Sequence, residues 1–184
     1  LEIEIDAEGR ETLCDVQRVI NWLVPKLPEG ITIRPAFQMH LPKALRDKLI
    51  TDYCILDMPV RIVKGSGLYD VGEPELSAEE VLTRYEETFR NQIKKDKHPN
   101  VATVRDARLL ESLTMIAVSE RVFPHQFTIQ FLDGPLGRSL AREYAANGYH
   151  VGCYVTFVDP SAPDEWKGYI RRRIAFGRKL FFGG

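Results

Sequence analysis

The feature that most constrains the fold is a regular alternation of strand and helix patterns along the chain. Short apolar segments typical of strands are each followed by a longer stretch in which apolar residues recur with the period of a helix. Six such β-α units fill the 184 residues, at roughly thirty residues each. This spacing predicts a parallel α/β sheet, either open or closed into a barrel. A complete eightfold barrel takes ~250 residues. Six units therefore correspond to a barrel without its first two units, or to a smaller doubly wound sheet.

The predicted units have definite boundaries. Strands are predicted over residues 1–7, 31–39, 58–64, 100–104, 127–132 and 150–157. Helices are predicted over residues 12–26, 42–50, 77–95, 106–119, 136–147 and 164–176. Ser77 and Glu80 form a capping-box pattern at the start of the third helix. We expect the whole chain, 1–184, to form a single domain.

Composition and charge exclude several classes of function. The formal net charge is -1, which argues against binding of nucleic acid through bulk charge. The apolar runs are too short to span a bilayer. Three widely spaced cysteines, Cys14, Cys54 and Cys153, lie in apolar sequence and are expected to be core thiols of a cytoplasmic protein. The four histidines show no metal-ligand spacing, and we predict no metal site.

Polar residues stand at the ends of all six predicted strands. In parallel α/β folds the chemistry is found at the carboxyl ends of the strands, so these groups should meet at one rim. They include Asp6, Gln38, Lys64, Thr103, Gln130 and Tyr154. A purely structural sheet does not require a polar group on every strand. The pattern therefore predicts a functional site at this rim.

Two arginines near the end of the chain suggest an anion site. On a helix, Tyr169, Arg172, Arg173 and Phe176 share one face, because they lie at i, i+3, i+4 and i+7. Arginine is suited to bidentate recognition of carboxylate or phosphate. Taken alone, the stretch favours a solvated basic stripe that complements the helix dipole. Together with the polar strand ends it favours an anion-binding site.

The first and third strands contain charges that need partners. On the third strand Arg61, Val63 and Gly65 should face one way, and Ile62 and Lys64 the other. Asp6 ends an apolar strand and needs a cationic or hydrogen-bonding partner, for which Arg61 and Arg34 are the candidates. The alternative for Asp6 is a buried structural ion pair.

The chain resembles the flavin-dependent proline dehydrogenase family in the order of its motifs along nearly its whole length. The matching residues are Ile5-Asp6-Ala7-Glu8, Gln38-Met39-His40-Leu41, Arg61-Ile62-Val63-Lys64-Gly65, Ala102-Thr103, then Phe127, Gln130, Leu132 and Gly134, and finally Tyr154, Tyr169, Arg172, Arg173 and Ile174. The chain departs from the family at Val104, where histidine is usual, and in an apparent insertion at residues 66–68. The family fold is a TIM-type (β/α)8 barrel. The resemblance implies that this chain covers about six of its units, as a divergent or N-terminally incomplete member.

The resemblance also implies a reaction and a substrate site. The reaction is oxidation of L-proline to 1-pyrroline-5-carboxylate with hydride transfer to FAD. Arg172 and Arg173 would clamp the proline carboxylate, Tyr154 and Tyr169 would wall the pocket, and Leu132 would pack on the ring. Asp6 would lie beside the substrate as a catalytic residue. The implied partners are L-proline and a quinone or other electron acceptor, with peripheral association at a bacterial inner membrane or a mitochondrial location.

The cofactor site follows from the same resemblance. Arg61 would lie near the flavin N5 and polarise it, as the second catalytic residue. The other cofactor contacts implied are Ala7, Gln38, Val63, Lys64, Gly65, Thr103 and Val104. Two further hypotheses remain: a barrel enzyme that binds an anionic substrate without flavin, and a catalytically degenerate member that acts as a binding module. Val104 favours the second of these, since valine cannot donate the histidine's hydrogen bond to the flavin.

Overall fold

The computed structural model describes residues 1–6, 12–64, 76–102 and 106–154. The strands are β1 (Glu2–Ile5), β2 (Thr32–Gln38), β3 (Arg61–Val63), β4 (Asn100–Ala102), β5 (Thr128–Leu132) and β6 (His150–Tyr154). The helices are α1 (Leu13–Leu23), α2 (Lys43–Thr51), α3 (Ala78–Lys94), α4 (Ala107–Ser119) and α5 (Pro135–Ala146). Short 3-10 turns occur at Val24–Lys26, Ile55–Asp57 and Pro124–Gln126. Six predicted strands and five predicted helices are confirmed. The helix predicted over 164–176 lies outside the described residues.

The six strands form one parallel sheet in the order β1-β2-β3-β4-β5-β6. A doubly wound sheet reverses its strand order at a switch point, and this sheet does not. Glu4 of β1 accepts hydrogen bonds from Asn100 of β4 and from Gln130 of β5, both at 2.6 Å. In a flat sheet β1 and β5 would lie about 19 Å apart, at roughly 4.8 Å per strand. The sheet is therefore curled, as in part of a TIM-type barrel.

The outer face of the sheet is apolar and packs against helices. Register aligns Phe37, Ile62, Val101 and Ile129 in one row across four strands, and each is at most 1% exposed. Helices α3 and α4 contribute buried apolar residues to the same core: Tyr85, Phe89, Leu109 and Leu113. Burial of each large side chain contributes about 1.5–3 kcal/mol, so this layer holds the helices to the outside of the curl.

Side chains cap the first turns of α3 and α4. Ser77 accepts from the Glu80 backbone N–H at 3.2 Å, and the Glu80 carboxylate accepts from the Ser77 N–H at 2.8 Å, which confirms the capping box. Asp106 caps α4 by accepting from the Leu109 N–H at 3.0 Å. These caps stabilise the first turns of α3 and α4.

The prediction that the cysteines are core thiols is wrong for two of them. Cys54 and Cys153 are exposed, and only Cys14 is partly buried. Cys54 adopts a left-handed conformation (φ 50°) in the loop after α2, and Cys153 lies on the outer face of β6 in register with Phe131. Apolar neighbours in sequence do not ensure burial, because the backbone decides which way each side chain faces. None of the helices among the described residues is long and apolar enough to cross a membrane.

Candidate functional site

The inner face of the curled sheet has polar side chains on five strands. Glu2 and Glu4 of β1 are followed around the curl by Arg34 of β2, Arg61 of β3, Asn100 of β4 and Gln130 of β5. Parallel sheets with both faces covered are usually apolar on both. A polar inner face opposite an apolar outer face therefore marks the interior of the curl as the candidate site.

Arg61 is the centre of this polar network. Arg61 is 8% exposed, and its Nε donates to Gln130 Oε1 at 2.9 Å. The same Nε lies 3.5 Å from Glu4 Oε2, and Nη1 lies 3.4 Å from Asp6 Oδ1. The guanidinium carbon lies 5.1 Å from the centroid of the Tyr154 ring. Two carboxylates and an aromatic face thus balance a cation that would otherwise be costly to bury.

Arg34 forms a second ion pair, with Glu2. Arg34 Nη2 lies 2.8 Å from Glu2 Oε1, and Nε lies 3.3 Å from Glu2 Oε2, so the pair is bidentate. The backbone carbonyl of His98 accepts a third hydrogen bond from this guanidinium. The hydrogen bond and charge of Arg34 lower the pKa of Glu2, against the opposing effect of partial burial.

Asp6 lies at the rim beyond β1, with 66% of its side chain exposed. Of its two candidate partners, Arg61 is the one within ion-pair distance. Arg34 instead pairs with Glu2, two residues before Glu4 on β1. The ion pair is therefore buried at its arginine end and exposed at its carboxylate end. Asp6 and Tyr154 thus both lie close to Arg61.

Gln38 and Val63 lie side by side at the carboxyl ends of β2 and β3. Beyond the strands, Met39 N donates to Val63 O at 3.0 Å and His40 N donates to Lys64 O at 3.2 Å, so the backbone pairing continues onto the rim. Burial lowers the pKa of His40, against a hydrogen bond with the Lys64 backbone that raises it. The pairing of β2 with β3 thus extends past both strand ends, and burial favours the neutral form of His40.

Lys64 pairs with Asp106, the residue that caps α4. Burial raises the pKa of the Asp106 carboxyl. Hydrogen bonds from Lys64 and from the Leu109 and Arg108 N–H groups lower the pKa by more than burial raises it, so the net shift is downward. An anion brought to Lys64 would compete with this carboxylate. The pair ties the end of β3 to the start of α4.

Leu132 and Tyr154 are neighbours in register at the ends of β5 and β6. The Asp133 N–H donates to the Tyr154 carbonyl at 2.9 Å, which extends this pairing by one bond. The two predicted substrate contacts therefore share one part of the rim. The other predicted site residues, Ala7, Gly65, Thr103, Val104, Tyr169, Arg172 and Arg173, lie outside the described residues.

Glu4 and Asn100 belong to the network around Arg61, yet the sequence interpretation assigned them no role in the site. It placed Gln130 at the rim but did not predict its contacts with Arg61 and Glu4. The alternation of Glu2, Glu4 and Asp6 with isoleucine was an available signal, since it places three carboxylates on one face of a strand. Nothing in the sequence around Asn100 indicates its contact with Glu4, which joins residues 96 positions apart. Among the described residues there is no group of three or more histidine, cysteine or carboxylate side chains that could hold a metal ion.

Comparison with known proteins supports the fold. No protein-family model matches this sequence, and no curated protein sequence matches it. A structural match is the crystal structure of proline utilization A (PutA) from Bdellovibrio bacteriovorus inactivated by N-propargylglycine, with a TM-score of 0.63 and 19% sequence identity. The match covers 85% of this chain and 18% of that one. This chain shares the fold of part of PutA. It spans less than a fifth of that protein's length.

Proposed function

We propose that this protein oxidises L-proline to 1-pyrroline-5-carboxylate, with FAD as the hydride acceptor. The observation that carries the proposal is the placement of Arg61, a buried arginine beside Asp6 and Tyr154 at the carboxyl rim of a curled parallel sheet. Support also comes from the motif order in the sequence and from the fold shared with a proline utilization protein. At 19% identity that likeness concerns the fold, and the reaction is our inference.

The residues of the inner face are suited to a flavin. One row across five strands consists of Gln38, Val63, Ala102, Gln130 and Gly152. Three of these five side chains are small, which leaves room for a flat ring above the sheet. The amide of Gln38 and the guanidinium of Arg61 are the polar groups that a ring with carbonyl oxygens and nitrogens would need. Lys64, one residue beyond β3, would serve a phosphate group.

When bound, FAD accepts the hydride that leaves the proline ring. The protein's own groups would bind and orient the substrate and the cofactor. Arg61 supplies a fixed positive charge, held in place before reaction, where negative charge develops. The Asp6 carboxylate would lie beside the substrate, and Tyr154 and Leu132 would wall its apolar ring. The other residues proposed to hold the cofactor are Gln38, Val63, Lys64, Gly65, Thr103, Ala7 and Val104. A quinone or another acceptor would reoxidise it.

The carboxylate of proline requires a cationic partner other than Arg61. We assign this role to Arg172 and Arg173 from the sequence, with Tyr169 on the same predicted helix face. Among the described residues Arg34 is not suited to this role, because Glu2 and the His98 carbonyl already bind it.

An absorption spectrum tests the proposal directly. The full chain is purified, loaded with FAD and titrated anaerobically with L-proline. We expect a bound flavin spectrum that L-proline bleaches, while D-proline at the same concentration leaves it oxidised. If FAD binds but L-proline does not bleach it, the proposal fails, and the hypothesis of a binding module is favoured when hydroxyproline does not bleach it either. If FAD does not bind at all, the proposal also fails in favour of a non-flavin barrel that binds an anion.

A further inference from the structure

We propose that Glu4 is a positioning residue that acts through Gln130 to hold the guanidinium of Arg61 towards the rim. The inference deepens the proposed function and rests on it where turnover is concerned. Its structural part is that the orientation of the Arg61 guanidinium depends on Glu4, and this part does not require a flavin. Glu4 has no place in the motifs that suggested the reaction.

The direction of the hydrogen bonds is set by Glu4. A carboxylate can only accept hydrogen bonds. Glu4 Oε1 therefore accepts one from Gln130 Nε2 and one from Asn100 Nδ2, both at 2.6 Å. With its NH2 group committed to Glu4, Gln130 must turn Oε1 towards Arg61, and Oε1 accepts from Arg61 Nε at 2.9 Å. The reverse orientation of the amide would place donor against donor at Arg61. Glu4 thereby determines which atom of Gln130 the arginine meets.

The consequence for Arg61 is a fixed guanidinium plane. Its Nε is engaged by Gln130 at 2.9 Å and lies 3.5 Å from Glu4 Oε2. Its Nη1 lies on the side of Asp6, at 3.4 Å. Because the guanidinium is planar, fixing the direction of Nε–H also fixes the directions of the two terminal nitrogens. The terminal nitrogens then meet the ligand at the rim without first having to be ordered.

Glu4→Gln separates this role from simple packing. Glutamine has the same shape, but it can present either its oxygen or its NH2 group to Gln130 and Asn100, so the direction of the Gln130 amide is no longer enforced. If the oxygen is the group presented, Gln130 keeps its orientation. The NH2 group of the new glutamine then replaces Oε2, 3.5 Å from Arg61 Nε, so that a donor faces a donor. Glu2→Gln is the matched control. Glu2 lies on the same strand and face and also pairs with an arginine, but that arginine is Arg34.

Hydrogen exchange at Arg61 Nε–H tests the structural part without flavin. The resonance is assigned in ¹⁵N-labelled full chain by its disappearance in Arg61→Lys. We expect Glu4→Gln to speed its exchange with solvent at least ~10-fold, since the bond to Gln130 loses its enforced polarity, and Glu2→Gln to leave it unchanged. Unchanged exchange in folded Glu4→Gln overturns the proposal. If Glu4→Gln does not fold, Gln130→Met, which removes the bridge at similar size, must show the same acceleration, and unchanged exchange there overturns it equally.

Steady-state kinetics test the consequence for turnover. With FAD and L-proline, Glu4→Gln should lower kcat about 10-fold at unchanged KM. The reason is that the oriented Arg61 guanidinium stabilises the transition state and does not bind proline. Glu2→Gln should leave both constants unchanged. A rise in KM at unchanged kcat overturns the positioning role. If the unaltered chain shows no reduction by proline, it is the proposed function that fails, and the exchange measurement still decides the role of Glu4.

Discussion

Gln130 on β5 donates a 2.6 Å hydrogen bond to Glu4 on β1, although three strands lie between them in the sheet. This bond spans the interior of the curl and connects residues 126 positions apart. Gln130 also accepts from Arg61, so three strands meet at one amide. The inner network therefore serves both the stability of the curl and the orientation of its central cation.

Removal of Arg61 should destabilise the fold. Arg61→Met leaves Glu4 and Gln130 without the guanidinium, and we expect the free energy of unfolding to fall by about 2 kcal/mol. Adding Glu4→Gln to Arg61→Met should restore part of this loss, because the second change removes the charge left without its cation. Urea unfolding of both single variants and the double variant measures the coupling. Strict additivity of the two single effects would contradict the network described.

The tandem arginines should differ in their roles. On the predicted helix Arg172 shares a face with Tyr169 and Phe176, whereas Arg171 is rotated about 100° away from Arg172. Arg172→Ala should raise the KM for L-proline at least ~10-fold while FAD remains bound, because a charged hydrogen bond to the carboxylate is lost. Arg171→Ala is the matched control and should leave KM unchanged. Loss of FAD from Arg172→Ala with unaltered affinity for proline would refute the assignment.

The pair of Lys64 and Asp106 should make stability depend on pH. Hydrogen bonds lower the pKa of Asp106 below its ordinary value of 3.8, despite partial burial. A lowered folded-state pKa contributes stability that is fully present above the ordinary pKa and is lost as pH falls through the lowered one. Asp106→Asn keeps a helix-capping side chain but cannot form the ion pair. Its urea midpoint should lie below that of the unaltered chain at pH 7, and the gap should close as pH falls below about 4.

Gly137 should tolerate no side chain. A Cβ at Gly137 would lie 2.0 Å from the carbonyl oxygen of Leu132, which is backbone and cannot yield without moving α5 off the end of β5. We expect Gly137→Ala to cost about 3 kcal/mol of unfolding free energy. Gly152→Ala is the comparison, since its Cβ would meet Gln130 and Thr128 at 3.6 and 3.8 Å, which are ordinary contacts.

Thermal unfolding of the two glycine variants gives the measurement. The melting temperature of Gly137→Ala should drop by several degrees, and that of Gly152→Ala should stay within about 2 °C of the unaltered chain. Equal losses in both variants would mean that backbone freedom, and not the close approach to Leu132, explains why residue 137 is glycine.

The elements were predictable because their signals are local. The capping box of Ser77 and Glu80 and the apolar stripes of the helices depend on residues a few positions apart, and both appear as predicted. The strands are shorter than predicted: β3 covers Arg61–Val63, where residues 58–64 were expected. Hydrogen-bond partners on neighbouring strands, which are distant in sequence, determine where a strand ends.

The sequence by itself determined the alternation of strand and helix and the polar strand ends. It also determined that Arg61 and Val63 lie on one side of β3 and Ile62 on the other, because the alternation of side chains along a strand is a local property of the backbone. Only the tertiary structure decided that Asp6 pairs with Arg61 and that Arg34 pairs with Glu2. It also brought Glu4 to Gln130, because the curl of the sheet joins strands that no sequence spacing relates. The choice between two equally charged partners depends on register and curvature, which arise when all the strands have packed together.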